Sequence, residues 1–184
     1  MMKWTSTACI LGLGLSVLAA SSTQARAWRQ YGPHVHGVSN LDVVLEGSAL
    51  EIALAAPGHN MVGFEHPPAT PAEHQRLDAA LALLKSPASW LIPARDGACS
   101  LLEAKVEPHG YDRGDQPADG GNDHTEIHAH YRYHCQLPAQ LKQLEVNLLE
   151  HFPETREVVV NLVLPSRQDQ QILQAGQHRV DLMP

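Results

Sequence analysis

Hydrophobic and polar positions alternate most strictly between His124 and Cys135. His124, Glu126, His128, His130, Arg132 and His134 take every second place, and Ile127, Ala129, Tyr131, Tyr133 and Cys135 fill the gaps. Period two sends successive side chains to opposite faces of a pleated strand, so the segment predicts a half-buried β-strand with imidazoles along its outer face.

The same pattern organises the rest of the chain. Leu41–Glu46 and Leu50–Ala55 flank Gly47-Ser48-Ala49 and predict a β-hairpin closed by a short glycine-containing loop. Thr70-Pro71-Ala72-Glu73 combines an N-cap, a proline at the first helical position and the return arm of a capping box. With Leu77, Ala80, Leu81 and Leu84 at helical spacing, it predicts a helix over 71–86. Further strands are expected at Cys99–Val106, Leu144–Leu149, Glu157–Leu164 and Val180–Leu182, and a short helix at Gln168–Ala175. Residues 109–123, rich in Gly and Asp, read as a loop. The fold class is therefore α+β, with antiparallel sheets and few helices. His34-Val-His36 and His128-Ala-His130 each precede a Leu-Glu-hydrophobic strand, an echo that suggests an internal duplication with lobes at 28–108 and 124–184.

The first 27 residues change the setting. Lys3, the apolar run Ala8–Ala20 and the small-x-small triplet Ala25-Arg26-Ala27 form a cleavable secretory signal, with the mature chain expected to begin at Trp28. No later apolar stretch offers an anchor, so the expected location is a bacterial periplasm. The whole chain has 13 basic and 20 acidic side chains; losing Lys3 and Arg26 leaves 11 against 20, a net charge of −9 with neutral histidines. That balance disfavours nucleic acid and anionic membrane and favours cations. Cys99 and Cys135 are the two cysteines beyond the signal. In an oxidising compartment they are expected to pair, and a Cys/His metal site is the competing reading.

Imidazole suits zinc, copper and nickel. His34 with His36, and His128 with His130, are His-x-His pairs whose origins on a strand lie about 6.5–7 Å apart, close enough for ring nitrogens to converge on one ion. His124, Glu126 and His134 extend the second pair, and Glu65-His66 adds a carboxylate and an imidazole before the double proline. A solvated histidine face is the bland competitor, and four imidazoles on one strand weigh against it. His59 and His109 read as ambiguous loop histidines. His74, His151 and His178 are assigned to ordinary surface. The motifs of zinc peptidases, serine hydrolases and phosphate-binding loops do not occur, so an enzyme is not expected; a zinc hydrolase with Glu126 or Glu65 as base is the remote alternative.

His34-Val-His-Gly-Val38 with Leu41, Pro57-Gly-His-Asn60 through Gly63-Phe-Glu-His66, Cys99, Tyr131-Arg-Tyr-His-Cys135 and the Leu144–Pro153 stretch together resemble the ZrgA family. The resemblance spans His34 to Pro184. It implies a zinc-binding exported protein that assists a zinc-uptake transporter, with zinc as its ion, no small organic substrate and no enzymatic activity. A copper or nickel chaperone is the second reading of the same imidazoles.

Overall fold

The computed structural model of the chain describes residues 35–111 and 124–183. The expected signal segment, His34 and the acidic stretch from Asp112 to Asp123 lie outside the described residues.

The hairpin forms as its pattern requires. Strand β1 (Val38–Glu46) turns through Gly47, at φ +55°, into β2 (Ala49–Pro57), with Leu45 opposite Leu50 and Leu41 opposite Leu54. Leu41, Val43, Leu50 and Ile52 are fully buried on one face of this pair. A short helix α1 (Gly58–Val62) follows directly, and α2 (Pro71–Lys85) starts at the anticipated cap. There Glu73 N donates to Thr70 Oγ1, and Thr70 N and Ala69 N donate to Glu73 Oε2. The helix turns Leu77, Ala80 and Leu84 into the core. Such caps contribute about 1 kcal/mol each.

Strands β3 (Leu91–Pro93) and β4 (Cys99–His109) lead to the histidine strand β5 (Glu126–Cys135). Its alternation is the one read from the sequence. Ile127, Ala129, Tyr131, Tyr133 and Cys135 are buried, while Glu126, His128, His130 and Arg132 are half-buried and His134 is exposed. The chain closes with β6 (Gln143–Val146), α3 (Leu148–His151), β7 (Glu157–Leu164), β8 (Arg167–Gln174) and β9 (Arg179–Asp181).

One six-stranded sheet runs in the order β4-β5-β2-β1-β7-β8, and β3-β6-β9 form a second of three strands. All described pairings are antiparallel except β1 with β7. The inner face of the large sheet meets α2 and the small sheet: Tyr131 donates to Leu84 O (2.8 Å), Tyr133 donates to Leu91 O (3.3 Å), and Trp90 packs edge-on to Tyr131. Burial pushes the Tyr133 hydroxyl up to about 12. The outer face carries a polar chain in which Gln170 donates to Asn161 Oδ1 and Asn161 donates to Asp42 Oδ1, both at 2.8 Å.

Two expected elements differ from the sequence reading. Gln168–Gln174 lie in strand β8 rather than a helix, with Ala175 in the turn beyond it, because the two-residue Pro165-Ser166 loop returns the chain along β7, from Leu164 opposite Arg167 to Glu157 opposite Gln174. Edge pairing overrides the helix propensity of Gln and Leu, which is a weak force by comparison. The strand expected over Leu144–Leu149 ends at Val146, and Leu148–His151 form α3. The expected halves also share one sheet: β5 inserts between β4 and β2, and β7 adds beside β1.

Cys99 and Cys135 form the expected disulfide, facing each other across β4 and β5.

Candidate metal centre

The entry to β1 is tightly built. Gly37 sits at φ +86°, where a Cβ would press on the Arg156 side chain at 3.3 Å. Its N–H donates to Asn60 Oδ1 (2.7 Å), and Asn60 Nδ2 donates to Val38 O (2.9 Å) and Ser39 Oγ (3.1 Å). Gly37 O accepts from Arg156 N and Glu157 N. Buried Asn60 thus completes the backbone bonds of the turn, and the turn fixes where His36 emerges.

His36 emerges over Glu65. Its Nε2 lies 3.0 Å from Glu65 Oε1, so imidazole and carboxylate meet directly. The other oxygen, Oε2, faces His124 Nδ1 at 3.2 Å. Glu65 is largely buried and both imidazoles are more than half exposed. Burial alone would raise the Glu65 carboxyl, but contact with His36 and His124 outweighs it and holds the group below the usual carboxylate range. His59 stacks on His36 with ring centroids 4.9 Å apart, and its Nε2 lies 3.7 Å from Glu154. Three segments distant in sequence therefore meet at one corner: the start of β1, the loop after α1, and the start of β5.

Along β5 the arrangement is different. His128 Nε2 lies 3.0 Å from Glu126 Oε2, and its ring is 4.8 Å from that of His109. Register sets Glu107 opposite His128 on β4, and places His130 between Ala53 of β2 and Lys105 of β4. His134, opposite Ala49 and Ser100, is exposed at the far end. His66 is turned elsewhere: Nδ1 is 2.9 Å from Pro67 O, the ring stacks on Phe64, and Nε2 is 3.9 Å from Glu73. So His36, Glu65 and His124 are brought together, Glu126 and His128 form a second pair, and His66, His130 and His134 stand apart from the corner.

Sequence reasoning named Glu65 only beside His66 or as a remote base, and left His59 and His109 as ambiguous loop histidines; it joined none of them to His36, His124 or His128. The tight Gly58-His-Asn60 and Gly63-Phe-Glu-His66 punctuation was the available signal.

A model of the ZrgA family, described as zinc uptake proteins, matches residues 33–182. The chain belongs to the ZrgA family of zinc uptake proteins. A search of curated proteins returns no match.

Zinc is the cargo that the ZrgA description names, and the donor set fits it. Around a tetrahedral zinc with bonds of about 2.0–2.1 Å, neighbouring ligand atoms lie about 3.3 Å apart. The two nitrogen–oxygen separations at Glu65, 3.0 and 3.2 Å, run to different carboxylate oxygens and are those of direct ion pairs, so the rings would have to turn to share one ion. As the side chains stand, no three His, Cys, Asp or Glu groups among the described residues converge to enclose an ion. No helix among the described residues is long and apolar enough to cross a membrane.

Proposed function

We propose that this protein captures zinc in the periplasm at the corner formed by His36, Glu65 and His124, and passes it to a zinc-uptake transporter. The observation that carries this reading is the largely buried Glu65 carboxylate with an imidazole nitrogen 3.0 Å from one oxygen and 3.2 Å from the other. His36 and His124 are exposed, so their rings can turn to meet an incoming ion without disturbing the core, and His34 lies two residues from His36 as a further ligand. The Glu126–His128 pair, with His109 and His130 along the strand, supplies a looser set of ligands. The disulfide and the family support an exported protein whose signal over residues 1–27 is removed. Its role is binding and delivery, not catalysis.

Zinc affinity measured by competition with a chelating dye tests this. Glu65→Gln keeps the shape but removes the charge, and should weaken binding at least about 100-fold, roughly 2.7 kcal/mol. A wild type that binds no zinc, or a Glu65→Gln variant that binds as tightly as wild type, would sink the reading. Copper and nickel titrations in parallel establish the preference among imidazole-loving ions.

A further inference from the structure

The six-stranded sheet ends in two unlike edges, β4 and β8. β4 is protected in the ways edge strands usually are. Its register with β5 shifts between Leu101 and Glu103, Pro108 has no N–H to offer, and Glu103, Lys105 and Glu107 line it with charge. β8 lacks the bulge, the proline and the lysine. It runs beside β7 in unbroken register from Arg167 to Gln174 and is exposed along most of its length. Its two charges, Arg167 and Asp169, pair with each other at 2.8 Å, and Ile172 is 49% exposed.

The end of the strand shows which way its backbone groups point. Gln174 N donates to Gln177 Oε1 (2.9 Å) and Gln177 N donates to Gln174 O (2.8 Å), so the backbone of Gln174 is turned away from β7. Backbone groups alternate in direction along a strand. Gln168, Gln170 and Ile172 therefore also point theirs outward, while Asp169, Gln171 and Leu173 face β7. Among the described residues, nothing bonds to the outward N–H and C=O groups of those three residues. Such a row is a template for another strand.

The strand that matches it is a second β8. Antiparallel pairing sets outward groups against outward groups, and a two-fold axis at Gln170 does this for all three residues: Gln170 faces Gln170, and Gln168 faces Ile172. Each facing pair exchanges both N–H···O bonds. In the same register Asp169 meets Gln171 and Arg167 meets Leu173, so no like charges stand opposite. A glutamine amide both donates and accepts, so Gln170 is complementary to its own copy. We propose that β8 is the docking edge for a second copy of this chain, joining two six-stranded sheets edge to edge in a closed dimer. The guarded β4 edges stop the sheet from growing further.

Sedimentation velocity of the metal-free protein from about 1 μM to about 1 mM tests this. A dimer should form as concentration rises, and hydrogen exchange at the Gln168, Gln170 and Ile172 amides should slow as it does. Each chain carries a formal net charge of −7 while the edge is neutral, so added salt should strengthen the dimer. Ile172→Lys installs the lysine guard that β8 lacks, and Gln170→Pro removes one outward N–H without touching the bonds to β7. Each should weaken association at least about tenfold. Leu102→Lys, on the β4 edge, should leave it unchanged. A monomer across the whole range, a dimer indifferent to Ile172→Lys, or an equal loss from Leu102→Lys overturns the proposal. Slow exchange at the three amides in the monomer overturns it too, because the chain would then already cover this edge itself. Should Gln170→Pro fail to fold, Ile172→Lys against Leu102→Lys carries the same comparison.

Discussion

The outer face of β5 carries Glu126, His128, His130 and His134 in one row, whereas the corner at the start of β1 draws His36, Glu65 and His124 from three separate stretches of chain. In the row, ligands repeat at the strand period, with origins about 6.5–7 Å apart, and each meets whatever the neighbouring strands place beside it. His128 meets His109 and Glu107, and His130 meets Lys105. In the corner, one partly desolvated carboxylate presents an oxygen to each imidazole. Regular spacing makes a conspicuous sequence, while convergence brings distant residues to one place. Under the proposed function, the row would offer zinc brief, loose contacts and the corner would retain it.

The largest expected effect separates what holds the row in place from what holds the corner. Cys99–Cys135 ties β5 to β4 at the end away from Glu126, closing a loop of 36 residues in sequence separation. Replacing both cysteines by serine should lower stability by about 3–4 kcal/mol in the chain-entropy account. Zinc affinity at a temperature where the variant is still folded should be unchanged. Urea unfolding with and without reductant measures the first quantity, and dye competition the second. A large loss of affinity in the folded variant would mean that the corner depends on the β4–β5 clamp.

A smaller effect sets the two regions against each other directly. Changing both His128 and His130 to alanine should weaken zinc binding by about tenfold or less, roughly 1.4 kcal/mol at most. Changing both His36 and His124 should cost at least tenfold more than that. The reverse order in the same titration would move the retaining site to the strand face and leave the corner as a structural ion pair.

Much of the fold was legible because it rests on local patterning. The β1–β2 hairpin, the capped α2, the alternation of β5 and the strand β7 all follow from period, caps and turns, and the disulfide from compartment and count. The β8 strand was misread because its Gln-rich segment has little alternation, and only pairing with β7 decides its state. Strand order, with β5 between β4 and β2 and β7 beside β1, is a long-range property that no local pattern encodes. The site was half legible for the same reason. His36 and His124 stood out as histidines, yet Glu65 becomes their hub only because Asn60 anchors the Gly37 turn and Gly58 lets the start of β5 approach α1.

The smallest effect concerns Glu65 in the absence of metal. Its folded-state value lies below the ordinary 4.5, despite burial, because His36 and His124 favour the ionised form. Between the two values the unfolded chain binds a proton that the folded chain does not, so stability falls as pH falls through that window. The contribution is fully present above about pH 4.5 and is lost once pH drops through the lowered folded value. Glu65→Gln cannot titrate, and its stability should therefore decline less steeply than wild type below pH 4.5. Urea midpoints of the metal-free proteins across pH 6 to 3 make the comparison. Parallel curves throughout would mean that the imidazoles do not hold the Glu65 charge in solution. The corner would then lose the electrostatic feature that distinguishes it from the row.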